Sequence, residues 1–169
     1  LMYNENMGVI NDLFMKLGII DKGVAWIAGY ETSFAALTVA ELWRGIPFFA
    51  IMLLAGLQSI SEEEYEACSV DGGTRWSKFW YITLPHLRET IVLSTLLRAV
   101  WEFNNVDVIY NLTGGGPVNQ TMTVTMYITQ TAIRDSNFGY GSAIAVVSFF
   151  ILAVFATVYI KMTGFNKED

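Results

Sequence analysis

The chain has 169 residues, 53% of them hydrophobic and 15% charged, with a formal charge of −6. Soluble domains carry about 25% charged residues, so this composition argues against an ordinary soluble enzyme; five Trp, eight Tyr and eleven Phe exclude a disordered chain. No basic run suits nucleic acid, and a single cysteine, Cys68, with a single histidine, His86, leaves no internal disulfide and no Cys-rich or His-pair metal centre. Mean hydropathy is +0.41. At roughly 150 residues per domain the chain is one domain or part of one. It opens at Leu1 in mid-pattern, with no initiator Met and no charged segment ahead of an apolar stretch, and so reads as a piece of a longer polypeptide.

Residues 1–33 mix charged, polar and aromatic side chains, Trp26 and Tyr30 among them, and read as interfacial. A membrane-crossing helix needs about 20 mostly apolar residues. The first stretch that qualifies runs from about 42 to 60, with no charge between Arg44 and Glu62. Pro47 lies near its expected start, where the first N–H groups lack partners anyway. Glu41 and Arg44 are three apart and share a face. A pore-lining pair and an interface pair beside Trp43 are both open.

The stretch 58–89 is the most informative. Ser61 followed by Glu62, Glu63 and Glu64 fits a capping box, in which the Ser61 hydroxyl accepts from the Glu64 N–H and the Glu64 carboxylate returns to the Ser61 N–H. The acidic residues fall where the helix dipole favours them. Gly72-Gly73 ends that helix. A second short helix follows, with Trp76, Phe79 and Trp80 on one face, and Leu84-Pro85 breaks it before the next span. Two short, capped helices on a tight bend make a rigid projection; an interfacial hairpin resting on lipid is the alternative.

The second span, about 90 to 112, is more polar. Residues 91–97 are apolar, but Arg98, Glu102, Asn104, Asn105 and Asp107 follow. Arg98 and Glu102 can pair along one face. Ionisable groups at membrane depth usually face a bundle interior or a water-filled path, unless this helix is short and they lie in an exposed loop. Thr113-Gly114-Gly115-Gly116-Pro117 is a strong turn signal, and a short helix fits 124–133. The last span, about 140–161, lies in a stretch uncharged from 136 to 160 and is stopped by Lys161 and the tail 166–169. Three spans put loop 58–89 and the tail on one side. That side holds Arg75, Lys78, Arg88, Lys161 and Lys167, against Lys16, Lys22 and Arg134 on the other, which favours a cytoplasmic loop.

Glu66-Ala67-Cys68, three residues, Gly72, nine residues, then Ile82-Thr83-Leu84-Pro85 resembles the EAA loop of the inner-membrane permease subunits of binding-protein-dependent ABC importers. Glu66, Ala67, Gly72, Ile82, Leu84 and Pro85 match, and Asp71 is also typical of the family. Cys68 replaces the second Ala of the signature; Gly73 stands where the sugar-permease group usually has Ala. Both are small changes. Pro47-Phe48, Leu53 to Ile60, Trp101, Phe103-Asn104-Asn105-Val106-Asp107 and Leu112 to Pro117 resemble the maltose-permease-like branch. Nearly the whole chain from Ala35 onward fits.

The resemblance implies an all-α fold, part of a polytopic membrane helix bundle of the type I ABC-importer transmembrane-domain kind. Residues 1–169 would be the C-terminal part of one such domain, with spans at 42–60, 90–112 and 140–161 and a cytoplasmic coupling loop at 61–85. It implies a multi-pass protein of the cell membrane that transports rather than catalyses, with no catalytic residue, no metal and no cofactor of its own. ATP would be bound by cytoplasmic ATPase subunits, to which Glu66, Ala67, Cys68, Asp71, Gly72, Ile82, Leu84 and Pro85 would couple. Trp76, Phe79 and Trp80 would anchor the loop to the rest of the permease. A second, non-identical permease subunit, an extracytoplasmic solute-binding protein and membrane lipid complete the implied partners, with no nucleic acid. The implied solute is a sugar or polyol. Trp101, Phe103, Asn104, Asn105, Asp107 and Tyr110 would line its path, since aromatic faces pack on sugar C–H faces and the polar groups serve its hydroxyls. The competing readings are a permease for glycerol phosphate, an amino acid or an anion, an ATP-independent channel, and a membrane enzyme, for which the chain offers no poised acid–base set.

Overall fold

The computed structural model describes residues 2–164. Among them the regular structure is entirely helical, as the expected all-α class requires: α1 (Val9–Lys16), α2 (Ser33–Gln58), α3 (Glu62–Val70), α4 (Arg75–Lys78), α5 (Leu84–Phe103), α6 (Asp107–Leu112), α7 (Val124–Thr129) and α8 (Phe138–Thr163). Five-residue π-helical turns, Phe79–Thr83 and Gln130–Arg134, follow α4 and α7.

α2 and α8 have 26 residues each, about 39 Å at 1.5 Å per residue, and both are long and apolar enough to cross a membrane. Their apolar side chains are not hidden. Trp43, Ile46, Ile51 and Leu54 on α2, and Val147, Phe149, Phe150, Ile151 and Val154 on α8, are exposed. A helix that is apolar all round must be covered by something; hydrocarbon suits these surfaces and water does not.

The observed helix bounds differ from the expected spans in three places. α2 begins nine residues before 42. Its charges do not stop it because they are paired: the Arg44 Nε donates to Glu41 Oε2 at 3.0 Å, and the Asn105 amide donates to Glu41 Oε1 at 2.7 Å. Pro47 is therefore internal to the helix rather than near its start. It cannot supply the hydrogen bond its position calls for, a defect that membrane helices tolerate. The expected span 90–112 is instead α5 and α6, separated at 104–106. α8 runs two residues beyond 140–161 at each end, with Lys161 inside its last turn, where a cation complements the helix dipole. Lys167 and the rest of 166–169 lie outside the described residues.

The chain forms two compact units, Leu1–Arg44 with Phe103–Phe149 and Gly45–Glu102 with Phe150–Asp169. In the first, Leu37, Ile109 and Met126 make a small core, with Val106, Val108, Leu112 and Met122 packed against it. Asn11, 1% exposed, ties the segment around α1 together. Its amide nitrogen donates to the carbonyls of Asn4, Glu5 and Val24, and its oxygen accepts from the Val24 N–H and from Trp26 Nε1 at 2.6 Å. The Tyr3 hydroxyl donates to the Ala36 carbonyl at 3.0 Å, and burial pushes its phenol above the ordinary value.

In the second unit α2 and α5 run antiparallel. Gly45 lies against the Arg98 guanidinium, and Gly56, three helical turns further on, lies against Leu87 and Thr90. A Cβ at Gly56 would come within 2.7 Å of a Leu87 methyl. Small residues on one face let two helices approach closely, so this glycine pair sets the α2–α5 register. Phe48 on α2 meets Trp101 on α5, ring centroids 5.2 Å apart. The Arg88 guanidinium donates to the Thr163 carbonyl at the end of α8, 2.6 Å away.

Candidate functional site: the loop between α2 and α5

The loop is short, capped and cross-linked. Ser61 caps α3, but it accepts from the Glu63 N–H at 3.2 Å rather than from Glu64. The expected reciprocal capping box is not formed; the Glu64 carboxylate lies 3.7 Å from His86 Nδ1 instead. α3 ends in a Schellman motif. The Gly73 N–H donates to the Cys68 carbonyl at 2.8 Å and the Gly72 N–H to the Ser69 carbonyl at 3.1 Å, with Gly72 at φ +80°. Thr74 caps α4, accepting from the Ser77 N–H.

α4 is not a separate helix broken at Leu84-Pro85, as the sequence suggested. It continues through the π turn into α5, so residues 75–103 are one unbroken helical run. Leu84 donates to the Phe79 carbonyl, five residues back. The wider turn makes room for Pro85, which lacks an N–H and would crowd the carbonyl four residues before it in a regular α-helix.

Three side-chain bridges join α3 to this run. The Tyr65 and Thr83 hydroxyls are 2.9 Å apart, Lys78 Nζ donates to Ser69 Oγ at 2.6 Å, and Glu64 faces His86. None was visible in the sequence, because each closes across the Gly72-Gly73 turn and depends on its angle. Tyr65 and Cys68 are half-buried, whereas Glu63, Glu66, Ala67 and Val70 form an exposed stripe at helical spacing. Val70 is 87% exposed, an apolar tip on an otherwise acidic helix.

The eight expected coupling residues thus take different positions. Glu66, Ala67, Asp71, Gly72 and Pro85 are exposed; Cys68, Ile82 and Leu84 are half-buried. Cys68 and Gly73 belong together: a Cβ on Gly73 would sit 2.3 Å from Cys68 Sγ and 2.7 Å from the Cys68 carbonyl oxygen. Trp76, Phe79 and Trp80 are exposed and stack edge to face on one another, with centroid distances of 6.4 and 5.4 Å. Within the described residues, the three bridges fasten α3 to the helical run.

Trp101 packs on Phe48 in the second unit. Phe103, Asn104, Asn105, Asp107 and Tyr110 belong to the first unit. There the Asn105 amide is held by Glu41, and the Phe103 carbonyl accepts from the Thr125 hydroxyl. α6 carries no side-chain cap at its N-cap residue Val106. Asp107 and Tyr110 are exposed on α6, with Ile109 turned into the core. A cleft of about 560 Å³ in the first unit is lined by other residues, among them Tyr3, Glu5, Ala28 and Leu112. Arg98, which neighbours the expected path, pairs with Glu102 one turn along α5, and its side chain is only 15% exposed.

Comparison with known proteins matches this arrangement to one family. Residues 7–162 match the family described as the binding-protein-dependent transport system inner membrane component. The chain is 38% identical over 160 residues to a sulfoquinovosyl glycerol transport system permease protein of Agrobacterium fabrum, covering 95% of this chain and 51% of that one. It is 34% identical over 168 residues to a trehalose/maltose transport system permease protein of Thermococcus litoralis, covering 99% and 56%. The fold is shared with a bacterial alginate ABC transporter solved in complex with an alginate pentasaccharide-bound periplasmic protein, with a TM-score of 0.80 and 21% identity, over 96% of this chain and 56% of that one. The chain spans about half the length of the curated relatives it matches. It belongs to the family of inner-membrane components of binding-protein-dependent transport systems.

Proposed function

We propose that the chain is the C-terminal part of the membrane-spanning permease of an ATP-driven, binding-protein-dependent importer of sugars or related polyols, and that loop 61–85 couples it to a cytoplasmic ATPase. In this reading α2, α5 and α8 cross the cell membrane, with the loop and the C-terminal tail inside. The observation that carries the reading is the exposed stripe Glu63, Glu66, Ala67 and Val70 on a helix stitched to a continuous 75–103 helical run. A protein seated on that stripe moves α3. The bridges at Tyr65, Ser69 and Glu64 pass the displacement to the run, and the run carries it through α5 to Trp101 without a flexible joint. Glu66 supplies charge to a basic partner site, and Val70 supplies an apolar knob.

A second permease subunit, not identical to this one, and an extracytoplasmic solute-binding protein complete the assembly; ATP is bound by the ATPase. The names of the Agrobacterium and Thermococcus relatives support the carbohydrate class. The Phe48–Trp101 pair offers the flat apolar surface that sugars use. The test is uptake by the full-length permease, reconstituted with its ATPase and binding protein, against a panel of labelled oligosaccharides and sugar glycerols. Uptake of one of them that needs ATP and all partners supports the proposal. Flux without the ATPase points to a channel, and chemical conversion of the solute to a membrane enzyme; either sinks it.

A further inference from the structure

Three successive residues at the start of α5 each meet a different element. The Glu64 carboxylate of α3 lies 3.7 Å from His86 Nδ1. Leu87 is buried against Gly56 of α2, where an added Cβ would come within 2.7 Å of a Leu87 methyl. The Arg88 guanidinium donates to the Thr163 carbonyl at the end of α8, 2.6 Å away. Each residue of a helix is turned about 100° from the one before it, so 86, 87 and 88 point in three directions from a single turn. That turn is the first after Pro85, where the coupling loop ends.

The end of α8 suits this bond. The last carbonyls of a helix have no partner within it. At α8 the Thr163 hydroxyl turns back to the Tyr159 and Ile160 carbonyls, and Gly164, at φ +67°, takes the left-handed conformation that ends a helix. The Thr163 carbonyl accepts from Arg88 instead, and the guanidinium lies over the exit from the helix: a Cβ on Gly164 would sit 3.2 Å from Arg88 Nη2. A cation at this end also complements the helix dipole. Residues from Phe150 onward belong to the same compact unit as Gly45–Glu102. In that half α8 is half-buried along Leu152, Ala156, Tyr159 and Thr163, a stripe at helical spacing that ends at the residue Arg88 holds. Because the acceptor is a backbone carbonyl, a pull on Arg88 acts on the α8 backbone rather than on a side chain free to rotate.

We propose that Arg88 is a positioning residue that carries displacement of the coupling loop into α8. The turn 86–88 then works as a junction: α3 enters at His86, and α2 and α8 are drawn along at Leu87 and Arg88. This role rests on the coupling proposed for loop 61–85, and extends it from α5 alone to all three long helices. Without Arg88, α2 and α5 still follow the loop, while the second-unit half of α8 lags behind them.

The test uses the assembled transporter with its full-length permease, carrying Cys68→Ser and otherwise cysteine-free, spin-labelled at Tyr81→Cys and Met162→Cys. Both positions are exposed, one on the run before the junction and one on the last turn of α8. Pulsed dipolar spectroscopy reads the distance between the labels, and uptake per ATP hydrolysed is measured on the same variants. Arg88→Gln is expected to raise the ratio of long to short distances about threefold, the scale of a cation's contribution at an exposed helix C-terminus, and to lower uptake per ATP. Arg88→Lys keeps a donor and the charge and should restore most of both. Lys161→Gln removes a charge from the same turn but not the bond, and should leave both as in the parent. An unchanged distance distribution in Arg88→Gln overturns the proposal. So does a changed distribution with unchanged uptake per ATP, or an equal change in Lys161→Gln. A parent whose uptake needs no ATP fails the coupling reading and this role with it; the distances, which need no nucleotide, still show whether Arg88 ties α5 to α8, so the two failures are told apart.

Discussion

Gly72 and Gly73 show how single residues set the geometry of the loop. Gly72 holds φ +80°, a conformation that costs a residue with a Cβ about 1–2 kcal/mol. Gly72→Ala is expected to loosen the loop, and limited proteolysis of the full-length permease should cut first near 70–75. The case of Gly73 is different, since a Cβ there meets Cys68 Sγ and the Cys68 carbonyl. Overpacking of this kind costs about 1–3 kcal/mol. Gly73→Ala should therefore lower thermal stability, and Gly73→Ala combined with Cys68→Ala should recover part of the loss. Such recovery would make the two departures from the EAA-like pattern one compensated change rather than two small ones. An equal loss in the single and double variants would refute this. Arg98 and Glu102 form a pair that is scarcely exposed at Arg98, and removing one partner of a buried pair costs about 3–5 kcal/mol. Arg98→Met alone should reduce the yield of folded permease more than Arg98→Met with Glu102→Leu, as size-exclusion profiles in detergent would show.

Among the elements, the π turn joins what the sequence divides. Pro85 reads as a break because proline breaks regular helices; the wider turn at Phe79–Thr83 absorbs it, so α4 and α5 act as one rod. Stiffness of the rod matters only if α3 is fixed to it. Tyr65→Phe with Thr83→Val removes the 2.9 Å hydroxyl bridge while keeping shape, and each such bond contributes about 0.5–1.5 kcal/mol. The double variant is expected to assemble with the ATPase normally but to transport fewer solute molecules per ATP hydrolysed. Unchanged stoichiometry would show that the bridge is not part of the coupling path.

At the scale of the whole chain, much was legible in the sequence. The apolar stretches behind α2 and α8, the helix–turn–helix character of 61–80 and the turn at 113–117 follow from hydropathy, caps and glycines. The extent of α2 was not, because Glu41 and Arg44 look like a boundary until Asn105, far along the chain, is seen to satisfy Glu41. The α2–α5 register was half-legible: Gly45 and Gly56 are three helical turns apart, but their partners Arg98, Leu87 and Thr90 needed the structure. The break between α5 and α6 at 104–106 was not legible, since residue spacing alone does not report it.

The exposed stripe of α3 is the surface proposed to dock a cytoplasmic ATPase. Ala67 lies on that stripe, whereas Cys68 faces Gly73 and is half-buried. The most direct measurement is maleimide labelling of Ala67→Cys in a Cys68→Ser background, using the full-length permease in inside-out and right-side-out vesicles with and without the ATPase subunits. Labelling with an impermeant reagent only in inside-out vesicles, lost when the ATPase is bound, is the predicted result. Labelling from the outer face, or labelling indifferent to the ATPase, would contradict the account.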